Sequence, residues 1–373
     1  MIMNIFTSLD EFFKFYEIHK KALAEKDPLF ADFVFTVHWY MVKSPEEKPF
    51  IALYEDNSMI RATFFSCAEV KMKKLIATEN GTRKYEHSPD LPVYKRAYTF
   101  QALYNVSEDF FNIVTDALFD YPVDAILLYV YKEDYEKLKS FLGQNKLYNY
   151  YANCYSHAFE GEIGHNRFDS MRLILPNTLE EVFQPFHKKK QHHYNFRRVK
   201  KVHRIAKTQL NVQYKYISPS SEIQETDLDI IFSDIEYIYK NSWQSELNSD
   251  NHKEKLAFLH KHKKLMLLLV YADGIPASYF YGYVNNGEIC ESWMAYNSEF
   301  SPYSFGLIAL VQFLKLCIDT QIKSIEFGGT THKYKKDLVN KTEPIHEIVV
   351  FNPTSSMSRE LKLIKRFYPK ALI

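Results

Sequence analysis

The sequence predicts an α/β protein built of two lobes. Strand-like and helical segments alternate in both halves of the chain, which is the pattern of such a fold. Residues 265–297 add three apolar runs joined by two tight turns. The alternation breaks at YSHAFEGEIGHN, so we expect an N-terminal lobe over residues 1–160 and a C-terminal lobe over residues 165–373.

In the N-terminal half, Ser8 and Glu11 form the capping pattern that precedes a helix over residues 8–26. A second apolar run, FVFTVHWYMV, follows this helix. Residues 78–96 are polar and contain proline, which predicts a long loop. The other expected elements are strands at 50–55, 59–70, 98–106 and 124–131, a helix over EDFFNIVTDALF, and a helix that ends at Gly143.

The C-terminal half opens with a strand at 170–175 and a helix that begins at Thr178 and is interrupted by Pro185. The basic segment 187–207 comes next. The other expected elements are a strand over NVQYKYI, helices over LDIIFSDIEYIYKNSWQ and KEKLAFLHKHKK, the three strands of 265–297 with turns at Asp273-Gly274 and Asn286-Gly287, a helix over 304–320, and strands over SIEF and IHEIVVF.

Composition and charge narrow the functional classes. The 373 residues, 46% hydrophobic and 25% charged, are enough for two cores of a soluble globular protein. The net charge of +1 creates no global field that would draw the chain to nucleic acid or membrane. Any basic partner surface must therefore be local.

The cysteines indicate a reducing compartment. Cys67, Cys154, Cys290 and Cys317 lie far apart, without the spacing of a metal site or a disulfide framework. The amino terminus carries acids where a signal peptide carries basic residues, and the apolar run 265–272 is too short to cross a bilayer. We expect a cytoplasmic protein with no membrane span and no metal.

The turn SPYSFG, residues 301–306, follows a strand directly and opens an apolar helix. The first N–H groups of a helix have no intrahelical partner, and the macrodipole adds positive charge there, so such an end binds phosphate. Gly306 would let a ligand approach the backbone closely. The alternative is simple capping of the helix by Ser301 or Ser304. The candidate binding residues are Ser304, Phe305, Gly306 and Leu307.

This run of features resembles the acyltransferase domain of the GNAT superfamily, in the CelD-like branch related to Fem-type peptidyl transferases. The resemblance rests on HHYNFRRVKK, SWQ, LLLVYADGIPASYFYG, AYNSEFSPYSFGLIAL and EFGGTTHKYKKDL, and covers about residues 165–345. It implies two tandem GNAT-like lobes, each a mixed and mostly antiparallel sheet flanked by helices, of which only the second keeps the donor site. The superfamily turn [Q/R]-x-x-G-x-[G/A] reads YSFGLI here, without the basic first residue and the small last one.

The resemblance also implies a catalytic cleft where two parallel strands splay, here the strand ending at Tyr296 and the strand SIEF. It places Tyr334 and Lys335 just after SIEF. Tyr334 would protonate the leaving thiolate, and Lys335 would hold a phosphate or an acceptor carboxylate. His332 is a candidate base because histidine titrates near neutral pH. The alternative for EFGGTTHKYKK is a solvated surface turn.

Two glutamates are further candidates for the general base. Glu291 and Glu326 lie on the strands that should flank the cleft. A carboxylate within an otherwise apolar strand is unfavourable unless it is paired or exposed. Either residue could accept a proton from the acceptor, directly or through water. The alternative is an ordinary glutamate that faces solvent.

The segment 187–207 holds six Lys, three Arg and four His and no acid, with apolar residues at near-helical spacing. The simple explanation is a helix with one solvated face. The functional explanation is a surface for coenzyme A phosphates, an acyl carrier protein or tRNA. The resemblance singles out Arg197 and Arg198 here, and places Trp243 and Tyr296 near the acceptor.

We therefore expect an N-acyltransferase that moves an acetyl or other acyl group from acyl-coenzyme A to an amine, on a small molecule or a polysaccharide precursor. The resemblance implies direct attack without a covalent enzyme intermediate, and the lack of a cysteine in a nucleophile context agrees with this. A backbone N–H at a bulged strand would polarise the thioester carbonyl. One alternative is a Fem-like transferase that uses aminoacyl-tRNA, and another is a binding protein without catalysis. The acceptor, the chain length of the acyl group and the oligomeric state stay open.

Overall fold

A computed structural model describes the chain over residues 2–55, 59–71, 73–79, 82–87, 93–100, 103–121, 123–145, 147–155, 169–186, 196–223, 225–242, 252–327 and 333–367. The chain divides into two units. Unit 1 comprises Met1–Asp169 together with Glu343–Ile373, and unit 2 comprises Ser170–Thr342.

The first part of unit 1 alternates strands with helices. The described strands are β1 Ile2–Phe6, β2 Lys48–Glu55, β3 Ile60–Lys71, β4 Lys73–Glu79, β5 Thr82–His87, β6 Val93–Phe100, β7 Leu103–Tyr104, β8 Ala125–Val130 and β9 Asn149–Tyr155. The helices are α1 Leu9–Lys26, α2 Phe30–Lys43, α3 Glu108–Asp120 and α4 Lys132–Gln144.

Unit 2 follows with a second set. Its described strands are β10 Asp169–Ile174, β11 Val212–Ile217, β12 Leu265–Ala272, β13 Ile275–Asn285, β14 Glu288–Tyr296 and β15 Ser324–Glu326. Its helices are α5 Leu179–Phe183, α6 Phe196–Gln209, α7 Glu225–Lys240, α8 His252–Lys261, α9 Phe305–Asp319 and α10 Lys333–Leu338, with 3₁₀ turns at Gln184–Phe186 and Ser298–Tyr303. The chain ends with β16 Lys341–Phe351 and α11 Met357–Phe367.

The sheet of unit 1 has helices on both faces. Its strand order is β1-β2-β3-β6-β8-β16, with β9 paired to the other edge of β16. Alternate residues of β2 enter different cores, as a strand requires. Ile51 and Leu53 pack with α1 and α2, whereas Phe50 and Ala52 pack with α3 and α4. The pairs are antiparallel except β6 with β8.

The sheet of unit 2 has the order β11-β12-β13-β14-β15-β10, and its parallel pair is β14 with β15. The predicted turns between its central strands are present, because Asp273, Gly274, Asn286 and Gly287 all have positive φ. α6 and α9 pack on one face, where Phe280 of β13 stacks on Phe313 at 4.2 Å. α7 and α8 contact β12 and β13.

The two units repeat one order of elements. Unit 1 runs β1-α1-α2-β2-β3-β6-α3-β8-α4, apart from the additional strands β4, β5 and β7. Unit 2 runs β11-α7-α8-β12-β13-β14-α9-β15-α10. In each unit a run of antiparallel strands ends in one parallel pair, with a helix between its two strands. The predicted fold class of two similar lobes with mixed, mostly antiparallel sheets is confirmed.

Two expectations from the sequence differ from this fold. Residues 343–373 were assigned to the C-terminal lobe, but they fall in unit 1, because β16 pairs with β8 and with β9. The predicted loop at 78–96 contains the end of β4, all of β5 and the start of β6. The lysines and arginines of this segment make its sequence resemble that of a polar loop. The strands form because β4 pairs with β5 and β6 pairs with β3.

Unit 1 should depend on β16 for its stability. Val349 is fully buried, and it pairs with Leu127 of β8 and Tyr151 of β9. Val349→Asp buries an unpaired carboxylate, so we expect a loss of about 4 kcal/mol or more of unfolding free energy. Hydrogen exchange along β8 should accelerate with it. Leu363→Asp is the control, because Leu363 on α11 is 45% exposed. Unchanged protection of β8 in Val349→Asp would show that β16 is dispensable.

Candidate functional site

The parallel strands β14 and β15 separate after a very short ladder. Only Glu288 with Ser324 and Ile289 with Ile325 pair between them among the described residues. β14 then continues to Tyr296 along β13. Beyond the ladder, the Ser292 hydroxyl donates to the backbone carbonyl of Glu326 at 2.9 Å. The strands therefore splay where the resemblance predicted a cleft.

A β-bulge lies at the point of separation. Gly282 of β13 pairs with Ser292, whereas Tyr283 pairs with Cys290, so Glu291 is the extra residue. Its φ of 48° is in the left-handed region, which is unusual for a residue with a side chain. A bulge takes its extra residue out of the regular ladder and re-aims the neighbouring side chains. Strained backbone of this kind occurs preferentially at functional sites.

Glu326 is the carboxylate with the most distinctive surroundings. It is partly buried at the end of β15, and its Oε1 accepts a hydrogen bond from the Ser170 hydroxyl at 3.1 Å. Burial raises the pKa of Glu326 above its ordinary value of 4.5, while Arg172 lowers it and Glu291 raises it further. A carboxyl group tuned upward in this way is a better proton acceptor at neutral pH than a solvated one.

The neighbouring thiol is a poor nucleophile. Burial raises the pKa of Cys290 to about 12, and the carboxylates of Glu326, Glu288 and Glu291 raise it further, with a smaller opposite effect from Arg172. A thiol with such a pKa stays protonated at neutral pH, and the thiolate is the nucleophilic form.

The turn before α9 has the features of an anion site. Ser304 has φ 54° and ψ 45°, and its carbonyl accepts from the N–H groups of Leu307 and Ile308 at 2.9 and 3.1 Å. The Ser304 side chain makes no capping hydrogen bond, and no acid lies in the first turn of α9. The N–H groups of Phe305 and Gly306 precede the first helical hydrogen bonds, so they can donate to a ligand.

The corresponding helix of unit 1 lacks those features. The Ser107 hydroxyl accepts a hydrogen bond from the N–H of Phe110, and Glu108 and Asp109 lie in the first turn of α3. These carboxylates already take the place of an anion at the helix end. The parallel strands β6 and β8 also stay paired over five residues, from Arg96 with Ala125 to Phe100 with Tyr129. Unit 1 therefore lacks both the open helix end and the early separation of strands.

The structure changes the expected role of Gly306. A Cβ atom added at Gly306 would lie 3.1 Å from Cδ1 of Tyr296, so the missing side chain makes room for the Tyr296 ring. The sequence had assigned that space to a ligand. Phe305 is buried in the core of unit 2, so it can contribute only its backbone to the turn, and Leu307 is partly buried beside it.

The segment after SIEF contains a helix that the sequence analysis did not predict, because both Tyr334 and Lys335 lie in α10. The Lys335 ammonium donates to the backbone carbonyl of Phe327, which ties α10 to the end of β15. Burial lowers the pKa of Lys335 to about 8. His332 lies outside the described residues, and the Tyr334 side chain is outside what the structure describes.

The remaining predicted residues are exposed or are not described. Arg197 is exposed on α6, which packs on the core of unit 2 through Val199 and Ala206. Trp243 lies outside the described residues, and the side chain of Arg198 is likewise not described. In the described part of the chain, no group of three or more His, Cys, Asp or Glu side chains is arranged to hold a metal. None of the described helices combines the length and apolar character that a bilayer crossing requires.

Sequence reasoning missed the residues that surround Glu326. Ser170 and Arg172 lie on β10, and the pairing of Arg172 with Glu326 brings them to the cleft. The signal available in SMRLIL is the alternation of polar with apolar residues. That pattern shows that one face of the strand is polar, but it does not show which strand lies beside it.

Comparisons with known proteins agree with this geometry. Residues 227–336 match the sequence model of the family described as acetyltransferase (GNAT) domain. This part of the chain is therefore similar to GNAT acetyltransferase domains. The matched part of the GNAT domain begins in α7 and ends in α10, so it contains the bulge, the cleft and the turn before α9. No curated protein matches the sequence.

Two solved structures share the fold over most of the chain. One is a conserved protein of unknown function from Bacteroides thetaiotaomicron VPI-5482, with 9% identity, a TM-score of 0.53, and coverage of 88% of this chain and 97% of the other. The second is FemX, with 10% identity, a TM-score of 0.54, and coverage of 88% and 92%. Both likenesses extend over more of the chain than the matched GNAT domain.

The contact of Gly306 with Tyr296 can be tested against a second helical glycine. A Cβ at Gly143 in α4 would meet its nearest neighbour, the Tyr150 hydroxyl, at an ordinary 3.8 Å. We expect Gly143→Ala to stabilise the protein by about 0.5–1 kcal/mol, because alanine favours helix. Gly306→Ala should instead destabilise it, and Tyr296→Leu should relieve part of that loss in a double-mutant cycle. An equal gain from both alanines would show that the ring is no constraint.

Proposed function

We propose that this protein is an acyltransferase that moves an acyl group, with acetyl as the smallest case, from acyl-coenzyme A to an amine by direct attack. The observation that carries the proposal is the separation of β14 from β15 after two pairs, between the open end of α9 and the carboxyl of Glu326. Such a cleft can hold a linear donor whose phosphates are bound at one end and whose thioester lies near a base.

The donor would be bound mainly by backbone groups. Coenzyme A carries a pyrophosphate, and the N–H groups of Phe305 and Gly306 at the α9 end suit such an anion. The thioester carbonyl would meet the strand at the Glu291 bulge, where a backbone N–H polarises it as negative charge develops on oxygen. Lys335, with a pKa lowered to about 8 by burial, is charged in part at neutral pH and would support an anionic group near α10.

The proposed proton steps use Glu326 and Tyr334. Glu326 takes a proton from the acceptor ammonium, and the free amine attacks the thioester carbon. The tetrahedral intermediate collapses with cleavage of the carbon–sulfur bond, and Tyr334 is our candidate for giving a proton to the departing sulfur. The nitrogen loses its second proton in the same collapse, and this proton restores Tyr334 through solvent. The amide and free thiol are the products. The raised pKa of Cys290 supports attack by the amine itself, without an acyl-cysteine intermediate.

A donor test follows from two serines at helix N-termini. Ser304 and Ser107 are the N-cap residues of α9 and α3. Ser304→Asp should weaken acetyl-coenzyme A binding at least tenfold, roughly 1.4 kcal/mol, because a carboxylate then occupies the anion site. Ser107→Asp is the matched control and should leave affinity unchanged. Calorimetry measures both, with melting temperatures to confirm folding.

The alternative donor is an aminoacyl-tRNA, and one surface favours it. The exposed basic residues of α6 are Arg197, Lys200, Lys201, Arg204 and Lys207. Affinity for tRNA that falls steeply with salt, together with no detectable binding of any acyl-coenzyme A by wild type, would replace coenzyme A by tRNA in this proposal. Binding of neither donor would favour a protein without catalysis.

The base assignment predicts a specific loss. Glu326→Gln should lower kcat by roughly 10²- to 10⁴-fold, because the amide cannot accept the proton. In wild type, kcat/KM should fall as pH drops through the pKa of Glu326, which lies above 4.5. Glu236→Gln on the exposed side of α7 is the control. Wild-type turnover in Glu326→Gln, measured by steady-state kinetics, would assign the base elsewhere.

A further inference from the structure

Four polar residues on three strands form a chain of contacts that ends at Glu326. The Glu288 carboxylate of β14 accepts from the Arg172 guanidinium of β10 at 3.1 Å. Nε of Arg172 is 3.5 Å from the Ser170 hydroxyl, and that hydroxyl donates to Glu326 at 3.1 Å. Each contact joins side chains on one polar face of the sheet.

The strand register fixes this arrangement. Arg172 is the antiparallel partner of Glu326, and Ser170 lies two residues along the same strand, so both side chains emerge on the same face. Glu288 pairs with Ser324, two residues before Glu326. The opposite face carries Leu173, Ile289 and Ile325, which are buried in the core.

We propose that Arg172 is a positioning residue. It orients Glu326 through Ser170, and its positive charge acts on both Glu326 and Glu288. This inference rests on the proposed role of Glu326 as the base. Arg172 is suited to the task because a guanidinium presents several donors in a fixed plane and stays charged. Its side chain is 19% exposed, so water screens its charge less than that of a surface arginine.

The charges around Glu326 determine whether its pKa is raised or lowered. Burial has the largest effect and raises the pKa of Glu326. Arg172 lowers this pKa, whereas Glu291 and Glu288 raise it. Tyr283 of β13 and Cys290 of β14 also face this carboxylate, and both are neutral because their own pKa values are raised. Removing the positive charge and removing the competing negative charge of Glu288 should therefore have opposite effects.

The test is a direct titration of Glu326 by NMR with ¹³C-labelled glutamate, assigned by comparison with Glu326→Gln. Arg172→Met should raise the titration midpoint by roughly one pH unit, since an adjacent opposite charge is lost. Glu288→Gln should lower the midpoint, since Arg172 then acts more strongly on Glu326. Arg172→Lys keeps the charge and should stay nearer to wild type, although it loses the planar hydrogen bonds.

A matched control lies in unit 1. Lys137→Met removes the exposed pair of Lys137 with Glu133 and should leave the midpoint unchanged. If Arg172→Met and Glu288→Gln shift the midpoint in the same direction, or do not shift it, the proposal is overturned. Glu288→Gln tests it independently, because it leaves the arginine in place.

The pH dependence of kcat/KM separates this inference from the proposed function. If the acid limb follows the titration midpoints in both variants, Glu326 is the base and Arg172 positions it. If the midpoints shift as expected while the acid limb stays in place, the role of Arg172 toward Glu326 stands and the assignment of the base fails.

Discussion

The early separation of β14 from β15 is the constraint on which the candidate site depends. Backbone groups that leave a ladder must find other partners if they are buried. Here the Ser292 hydroxyl donates a hydrogen bond to the backbone carbonyl of Glu326. The bulge at Glu291 shifts the register of β14 against β13 at the same level. These local features keep the cleft open without separating the antiparallel strands, because β13 and β14 pair on both sides of the bulge.

Units 1 and 2 share one order of elements but differ in the groups that could bind a ligand. In unit 1, the parallel strands β6 and β8 stay paired over five residues, and two acids lie at the start of α3. Unit 2 shortens that ladder to two pairs and leaves the start of α9 without acids. The difference between a scaffold and a site therefore lies in a few residues, as is usual for widely used folds.

The sequence was sufficient where the determinants are local. The strands of 265–297 and their glycine turns follow from apolar runs and from Asp-Gly and Asn-Gly pairs, and the structure has them. The separated strands and the open start of α9 were expected from the resemblance to a known family. Contacts between distant residues could not be predicted in this way. Arg172 reaches Glu326 only through the pairing of β10 with β15, and the space at Gly306 is set by the ring of Tyr296.

The position of β16 in the chain has a consequence for biosynthesis. The strand that completes the sheet of unit 1 is encoded after all of unit 2, so it leaves the ribosome later than unit 2 does. Synthesis proceeds from the N-terminus at a limited rate, and domains generally fold as units. Unit 2 can therefore fold before the strand that lies between β8 and β9 of unit 1 has been synthesised. Translation that stops before residue 343 would release a chain that contains all of unit 2 but has exposed, aggregation-prone strand edges in unit 1.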